Sequence, residues 1–168
     1  MYLPDHEVTL ERLTAAHADA VLAFELENRE YFAAWVWDRG DDYFTSFEAI
    51  HAARLAEQEA GVCQFHVLVD KSGAVVGRVN LVDLENGSAE LGYRIAEKAG
   101  GKGLATAAVR AVIQLATSEY RLTRLWAGAS DRNPASQAIL TRAGFRPIGK
   151  SNTDLGPGTR YELMLEEA

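Results

Sequence analysis

Residues 89–106 constrain this chain more than any other stretch. Ala89-Glu90-Leu91-Gly92-Tyr93-Arg94-Ile95 reads as a strand, Ala96 to Gly103 as a loop, and Leu104-Ala105-Thr106 as the first turn of a long helix. Gly100, Gly101 and Gly103 strip the loop of side chains, so its backbone N–H groups can point outward together. They would meet the positive end of the helix, whose first amides lack intrahelical partners. Such a place attracts a phosphate or pyrophosphate, and Lys102 adds a positive charge beside it. Two named phosphate loops do not fit. A Walker A loop needs Gly where this chain has Ala96, and Ser or Thr where it has Gly103. A dinucleotide fingerprint started at Gly101 wants Gly or Ala where Thr106 stands, and it should follow the first strand of a parallel unit. Here Asn86-Gly87 sits between two apolar runs, the favoured type I′ turn pair, so the preceding strand is the second arm of a hairpin.

The rest of the chain supplies a frame. With 168 residues and 48% hydrophobic content, a single domain over residues 1–168 is expected, large enough for a proper core. No apolar run approaches the ~18 residues of a membrane span, and Met1 to Arg12 lacks the pattern of a secretory leader. The net charge of −7 argues against a nucleic-acid surface and favours a cationic acceptor through long-range steering. One cysteine, Cys63, suits a reducing cytoplasm and reads as a small buried hydrophobe. His6, His17, His51 and His66 are scattered, with no metal-ligand spacing, and no metal is expected.

In chain order, Val8 to Leu13 alternates as a strand, and Thr14 caps a helix to about Asn28 with His17 on its wet side. The aromatic run Tyr31 to Trp37 packs in the core or walls a pocket, with Trp35 and Trp37 the pocket candidates. Arg39-Gly40-Asp41-Asp42 breaks the chain, and Ser46 caps a helix to about Ala60. Val62–Asp70, Ala74–Leu84 and Ala89–Ile95 form an antiparallel meander. The helix from Leu104 turns Leu104, Ala108, Val112 and Leu115 inward and Thr106, Arg110, Gln114 and Ser118 outward. Leu122–Ser130 is a strand parallel to its predecessor across that helix. Asn133 is an N-cap with Pro134 at the first helical position, and that helix ends at Gly144. Phe145–Lys150 and Thr159–Leu165 close the sheet, joined by a flexible connection over Asn152–Gly158. Arg132 and Arg142 are candidates for phosphate contacts.

The run Gly100-Gly101-Lys102-Gly103-Leu104-Ala105 resembles the phosphate motif Q/R-x-x-G-x-G/A of the GNAT superfamily of acyl-CoA N-acyltransferases. Gly103 and Ala105 match, while Gly100 replaces the Gln or Arg and loses one side-chain contact. Glu90-Leu91-Gly92-Tyr93, Asn133-Pro134-Ala135-Ser136 and Ala143-Gly144-Phe145 resemble the RimJ/RimL branch, which acetylates protein N-termini and small amines. The resemblance covers nearly the whole chain in order. It implies an α/β fold whose mixed, mostly antiparallel sheet is flanked by helices and opens into a V-shaped gap between its two central strands. It implies acetyl-CoA as co-substrate, its pantetheine pairing with the backbone near Tyr93 and Ile95 and its diphosphate on Gly100, Gly101, Lys102, Gly103, Leu104, Ala105 and Thr106. Asn133 would contact the pantetheine or order its turn, and Ser136 would protonate the departing thiolate. Glu90 is the candidate base, because an attacking amine must lose a proton. The resemblance implies an N-acetyltransferase of a primary amine, in the first place a protein N-terminal α-amine, with a small-molecule amine or a non-catalytic acyl-CoA sensor as the alternatives; a homodimer stays open.

Overall fold

The computed structural model describes residues 1–166. An eight-stranded sheet runs in the order β1-β2-β3-β4-β5-β6-β8-β7. β1 is Tyr2–Leu3, β2 Val8–Arg12, β3 Gln64–Asp70, β4 Val75–Glu85, β5 Ser88–Ile95, β6 Arg124–Ser130, β7 Arg146–Thr153 and β8 Gly156–Met164. Every neighbouring pair is antiparallel except β5 with β6. The helices are α1 (Ala18–Glu27), α2 (Arg29–Ala33), α3 (Asp41–Thr45), α4 (Phe47–Glu59), α5 (Leu104–Ser118) and α6 (Pro134–Arg142). Among the described residues, no helix is long and apolar enough to cross a membrane.

Two cores clothe the two faces of the sheet. On one face α5 and α6 pack over the apolar side chains of the central strands, with Leu81, Leu91, Val109, Val112, Leu125 and Leu140 buried together. The alanines of α5 let it lie close, and Ala108 and Ala116 are fully covered. On the other face α1, α2 and α4 bury Val21, Phe24, Phe32 and Phe47 against Phe65 and Val67. Each wholly buried side chain of that size contributes roughly 1.5–3 kcal/mol through the water it no longer orders.

The β4–β5 hairpin turns on Asn86 (φ 51°) and Gly87 (φ 76°), both left-handed as a type I′ turn requires. Its tip also fixes the start of β6, since the N–H groups of Thr123 and Arg124 both donate to the Gly87 carbonyl at 2.7 and 3.1 Å. β5 and β6 then pair over only Ser88–Arg124, Ala89–Leu125 and Glu90–Trp126. Beyond Glu90 the strands part, while β6 keeps pairing with β8 as far as Ser130 opposite Gly158. The V-shaped gap is therefore present, bounded by the free edge of Leu91–Ile95.

Four local expectations are corrected. The stretch from Thr14 opens with a 3₁₀ turn at Ala15–His17 before α1, and His17 Nδ1 accepts the Thr14 N–H at 2.9 Å instead of facing water idly. Asp41 does not merely break the chain but begins α3 directly after Gly40 at φ 84°, and Ser46 makes no side-chain cap at the α3–α4 joint. Thr106 is buried with Leu104 in the first turn of α5, where the chain has just left the sheet and the helix has not yet turned a separate wet face outward. Asn152–Gly158 is a β-hairpin paired through Thr153 opposite Gly156, with Asp154-Leu155 as its turn. The sequence hid it because β7 is exposed along most of its length and has no apolar alternation to read.

Candidate active site

A cleft of ≈ 920 Å³ enters where β5 and β6 part and passes through the sheet. Its floor is Glu90 to Ile95 on one side and Trp126 to Ser130 on the other. The glycine loop and the first turns of α5 and α6 wall one mouth; Tyr31, Phe32, Trp35 and Val36 wall the other. Alternation along β5 explains the two-sidedness. Leu91, Tyr93 and Ile95 face α5 and α6, while Glu90, Gly92 and Arg94 face α1 and α2.

The glycine loop follows a 3₁₀ turn at Glu97–Ala99, which closes with Gly100 N–H donating to the Glu97 carbonyl at 3.1 Å. Buried Asn28 anchors that turn by accepting the Glu97 N–H at 3.0 Å. Gly101 (φ 73°) and Gly103 (φ 81°) then take left-handed backbone that a side chain would strain. A Cβ at Gly101 would meet nothing within 4 Å, and one at Gly103 only the His6 ring at 3.9 Å. Both positions therefore face open space beside the loop. Ala107 N–H makes the first α5 bond, to the Gly103 carbonyl at 3.1 Å. The amides of Leu104, Ala105 and Thr106 precede it, and Gly103 offers no side chain to cap them. These donors, at the positive end of a fifteen-residue helix, suit a diphosphate. Lys102 is exposed beside the loop and does not line the cleft. Gly100 does, contributing backbone only.

Deeper in, Tyr93 and Ser136 meet. The two hydroxyl oxygens are 2.7 Å apart. Ser136 is held by its own backbone, which donates to Asn133 Oδ1 at 3.1 Å in an N-cap, so Asn133 orders the turn. Gln137 Nε2 braces the same turn on the Ser130 carbonyl at 2.9 Å. Burial pushes the Tyr93 phenol above its ordinary pKa, and the Ser136 bond pulls the other way. The hydroxyl of Tyr93, visible to sequence reading only as a residue with useful backbone, is the group that the sequence undervalued.

On the opposite face, Glu90 sits beside Trp126 on β6. Its carboxyl is raised above the usual range, first by burial and then by Asp83 and Asp154, with Arg160 opposing them. Arg160 stacks over the Trp126 ring at 3.9 Å, and both line the cleft. Nothing in the spacing of Trp126 and Arg160 signals this contact; only the β6–β8 register creates it. Trp35 lines the cleft at 40% exposure, whereas Trp37, 74% exposed, stands off it beside Arg29 and Asp38. Arg142 reaches the cleft wall; Arg132 does not line it.

Residues 7–146 match the family model described as acetyltransferase (GNAT) domain. The "Putative ribosomal N-acetyltransferase YdaF" of Bacillus subtilis (strain 168) is 39% identical over 161 residues, covering 90% of this chain and 84% of that protein. The ribosomal-protein-S5-alanine acetyltransferase of Vibrio fischeri has a similar structure, with a TM-score of 0.89 at 19% identity over 95% of this chain and 94% of that one. Mycobacterium smegmatis RimJ, solved in complex with CoA-disulfide, superposes with a TM-score of 0.85 at 22% identity, over 97% of this chain and 84% of that one.

Proposed function

Because this chain belongs to the GNAT acetyltransferase family, whose members transfer acetyl groups from acetyl-CoA, we propose that its cleft acetylates a protein N-terminal α-amine by direct attack in a ternary complex. The observation that carries this reading is the free β5 edge lying between an open, amide-lined glycine loop and the Tyr93–Ser136 hydroxyl pair. Acetyl-CoA, as co-substrate, supplies the thioester. The loop amides and the N-terminus of α5 hold its diphosphate, and the unpaired backbone of Tyr93 and Ile95 takes its pantetheine as a strand would. The family resemblance of the sequence and the CoA found in RimJ support that assignment.

The chain's own groups then divide the work. Glu90, directly or through a water, takes the proton of the attacking amine; its raised pKa makes it a better base than an exposed carboxylate. A backbone N–H of β5 meets the oxyanion as the C–N bond forms. Ser136 gives its proton to sulfur as the C–S bond breaks, and Tyr93 holds that hydroxyl in place and can return the proton. Cys63 is no competitor as a nucleophile. It is buried outside the cleft, and burial raises its thiol pKa. The ribosomal names of its relative YdaF and of the Vibrio fischeri neighbour favour a protein N-terminus over a small amine.

The test is release of free CoA thiol from acetyl-CoA across a panel of peptides and small amines. Ser136→Ala and Glu90→Gln should each lower kcat by roughly a hundredfold, the lower end of what a single acid–base group supplies, and leave CoA affinity intact. Turnover that both variants retain, or an acetylated Cys63 trapped by mass spectrometry, would sink the mechanism.

A further inference from the structure

Glu25 of α1 is 1% exposed and faces three guanidinium groups. Arg39 binds it through two bonds of 2.9 and 3.0 Å, Arg78 of β4 through one of 3.0 Å, and Arg94 of β5 through one of 3.3 Å. Nearby Arg29 is already committed to Asp38 and Asp41 at 2.8–2.9 Å. Around Glu25, three guanidinium groups therefore share one buried carboxylate, with Arg78 buried and Arg39 and Arg94 mostly covered. Charge that is covered and unbalanced is costly, so this cluster is short of an anion.

Arg94 is the member placed to receive one. Its contact with Glu25 is single and the longest of the set. Its guanidinium lies over the Phe32 ring at 5.0 Å, a cation–π contact that holds it at the cleft wall. It alone of the three Glu25 partners lines the cleft, on the face walled by Tyr31, Phe32 and Trp35. It also shares that face with Glu90, four residues back along β5, at about 13 Å of strand. Burial and the neighbouring Arg39 press its charge, in keeping with a guanidinium that lacks a full counter-ion.

We infer that Arg94 is an anion-recognition residue for the acceptor: the preferred substrate is an amine that carries a carboxylate within the reach of a peptide's first three residues. The inference rests on the cleft mouth beside α2 holding the acceptor. Both side chains rise from the same face of β5, so their tips stand about 13 Å apart; allowing a hydrogen bond of about 3 Å at each end leaves roughly 7–10 Å between amine and carboxylate. An extended peptide spans that between its α-amine and an Asp or Glu at the second or third position. Arg39 and Arg78 keep Glu25 neutralised, so Arg94 can turn a fork of N–H donors to the incoming carboxylate.

The experiment compares octapeptides with Asp or Glu at positions two and three against their Asn or Gln counterparts. One arm measures CoA thiol release; a second measures calorimetric binding of the same peptides to the protein saturated with CoA, which needs no turnover. Wild type should show a KM at least tenfold lower for the acidic peptides, with similar kcat. Arg94→Gln should erase that preference without changing CoA affinity, and Arg94→Lys should keep part of it, since it keeps the charge and loses the fork. Equal KM values for both peptide sets in wild type would overturn the inference while leaving the transferase reading intact, and needs no variant to fold. A tenfold loss of CoA affinity in a folded Arg94→Gln, with the acidic preference intact, would assign the residue to a coenzyme phosphate and overturn it too. Absence of transfer to every peptide would sink the proposed function. Calorimetric preference for acidic peptides, lost in Arg94→Gln, would then still uphold the anion site.

Discussion

His66 on β3 is 1% exposed, and its ring is held at both nitrogens. Nδ1 donates to the Val79 carbonyl at 3.1 Å, because a carbonyl can only accept, and in the neutral ring Nε2 then accepts from the Tyr120 hydroxyl at 2.6 Å. Burial favours that neutral ring. Burial lowers its pKa from 6.5 to about 4, with the Val79 bond opposing and the positive Arg12 and N-terminus adding to it. Between those values the unfolded chain binds the proton and the folded chain does not, so stability falls as pH drops through that window. Urea melts should show the protein roughly 2 kcal/mol less stable at pH 5 than at pH 8 from this residue. A His66→Gln variant should have a flatter profile over the same range. The sequence offered His66 only as a scattered histidine without ligand spacing. Its partners lie 13 and 54 positions away, and a single residue carries no sign of them. Ser136 was legible for the opposite reason, since its environment is set within three residues by Asn133 and Pro134.

Among the elements, the junction of loop and helix at 100–106 was the most legible. Its conformation is set by glycine content and by the unmet amides of a helix start, both local properties. Gly103→Asp tests it directly. A side chain at φ 81° is strained by about 1–2 kcal/mol, and its carboxylate would repel a diphosphate at the helix N-terminus. CoA affinity should fall at least a hundredfold while circular dichroism stays that of the folded protein; unchanged affinity would remove the loop from coenzyme binding. The β7–β8 hairpin was the least legible element. β7 pairs along its length but lies mostly in water, so ladder hydrogen bonds hold it without an apolar stripe to announce it. Gly158 shows how close its partner strand runs, since a Cβ there would stand 2.4 Å from the Ala129 carbonyl oxygen.

For the whole molecule, the split sheet is the consequential feature. A strand edge left open inside a fold is costly unless something pairs with it, so occupying the gap should stabilise the entire domain. At a hundredfold excess of CoA over its Kd the gain is about 2.7 kcal/mol, or roughly 5–10 °C in Tm for a chain of this size. Differential scanning calorimetry should show that shift in wild type and lose it in Gly103→Asp; a wild-type Tm indifferent to CoA would contradict coenzyme binding. The sequence by itself determined what short-range physics controls: the type I′ turn at Asn86-Gly87, the glycine loop feeding α5, the Asn133 cap, and the order of the longer strands and helices. Tertiary structure alone decided which distant groups became neighbours. It set the two hydroxyls of Tyr93 and Ser136 together, laid Arg160 over Trp126, and gathered three arginines around Glu25. Those contacts depend on strand register and on helices crossing the sheet, and register is fixed by burial of the whole face rather than by any one stretch of chain.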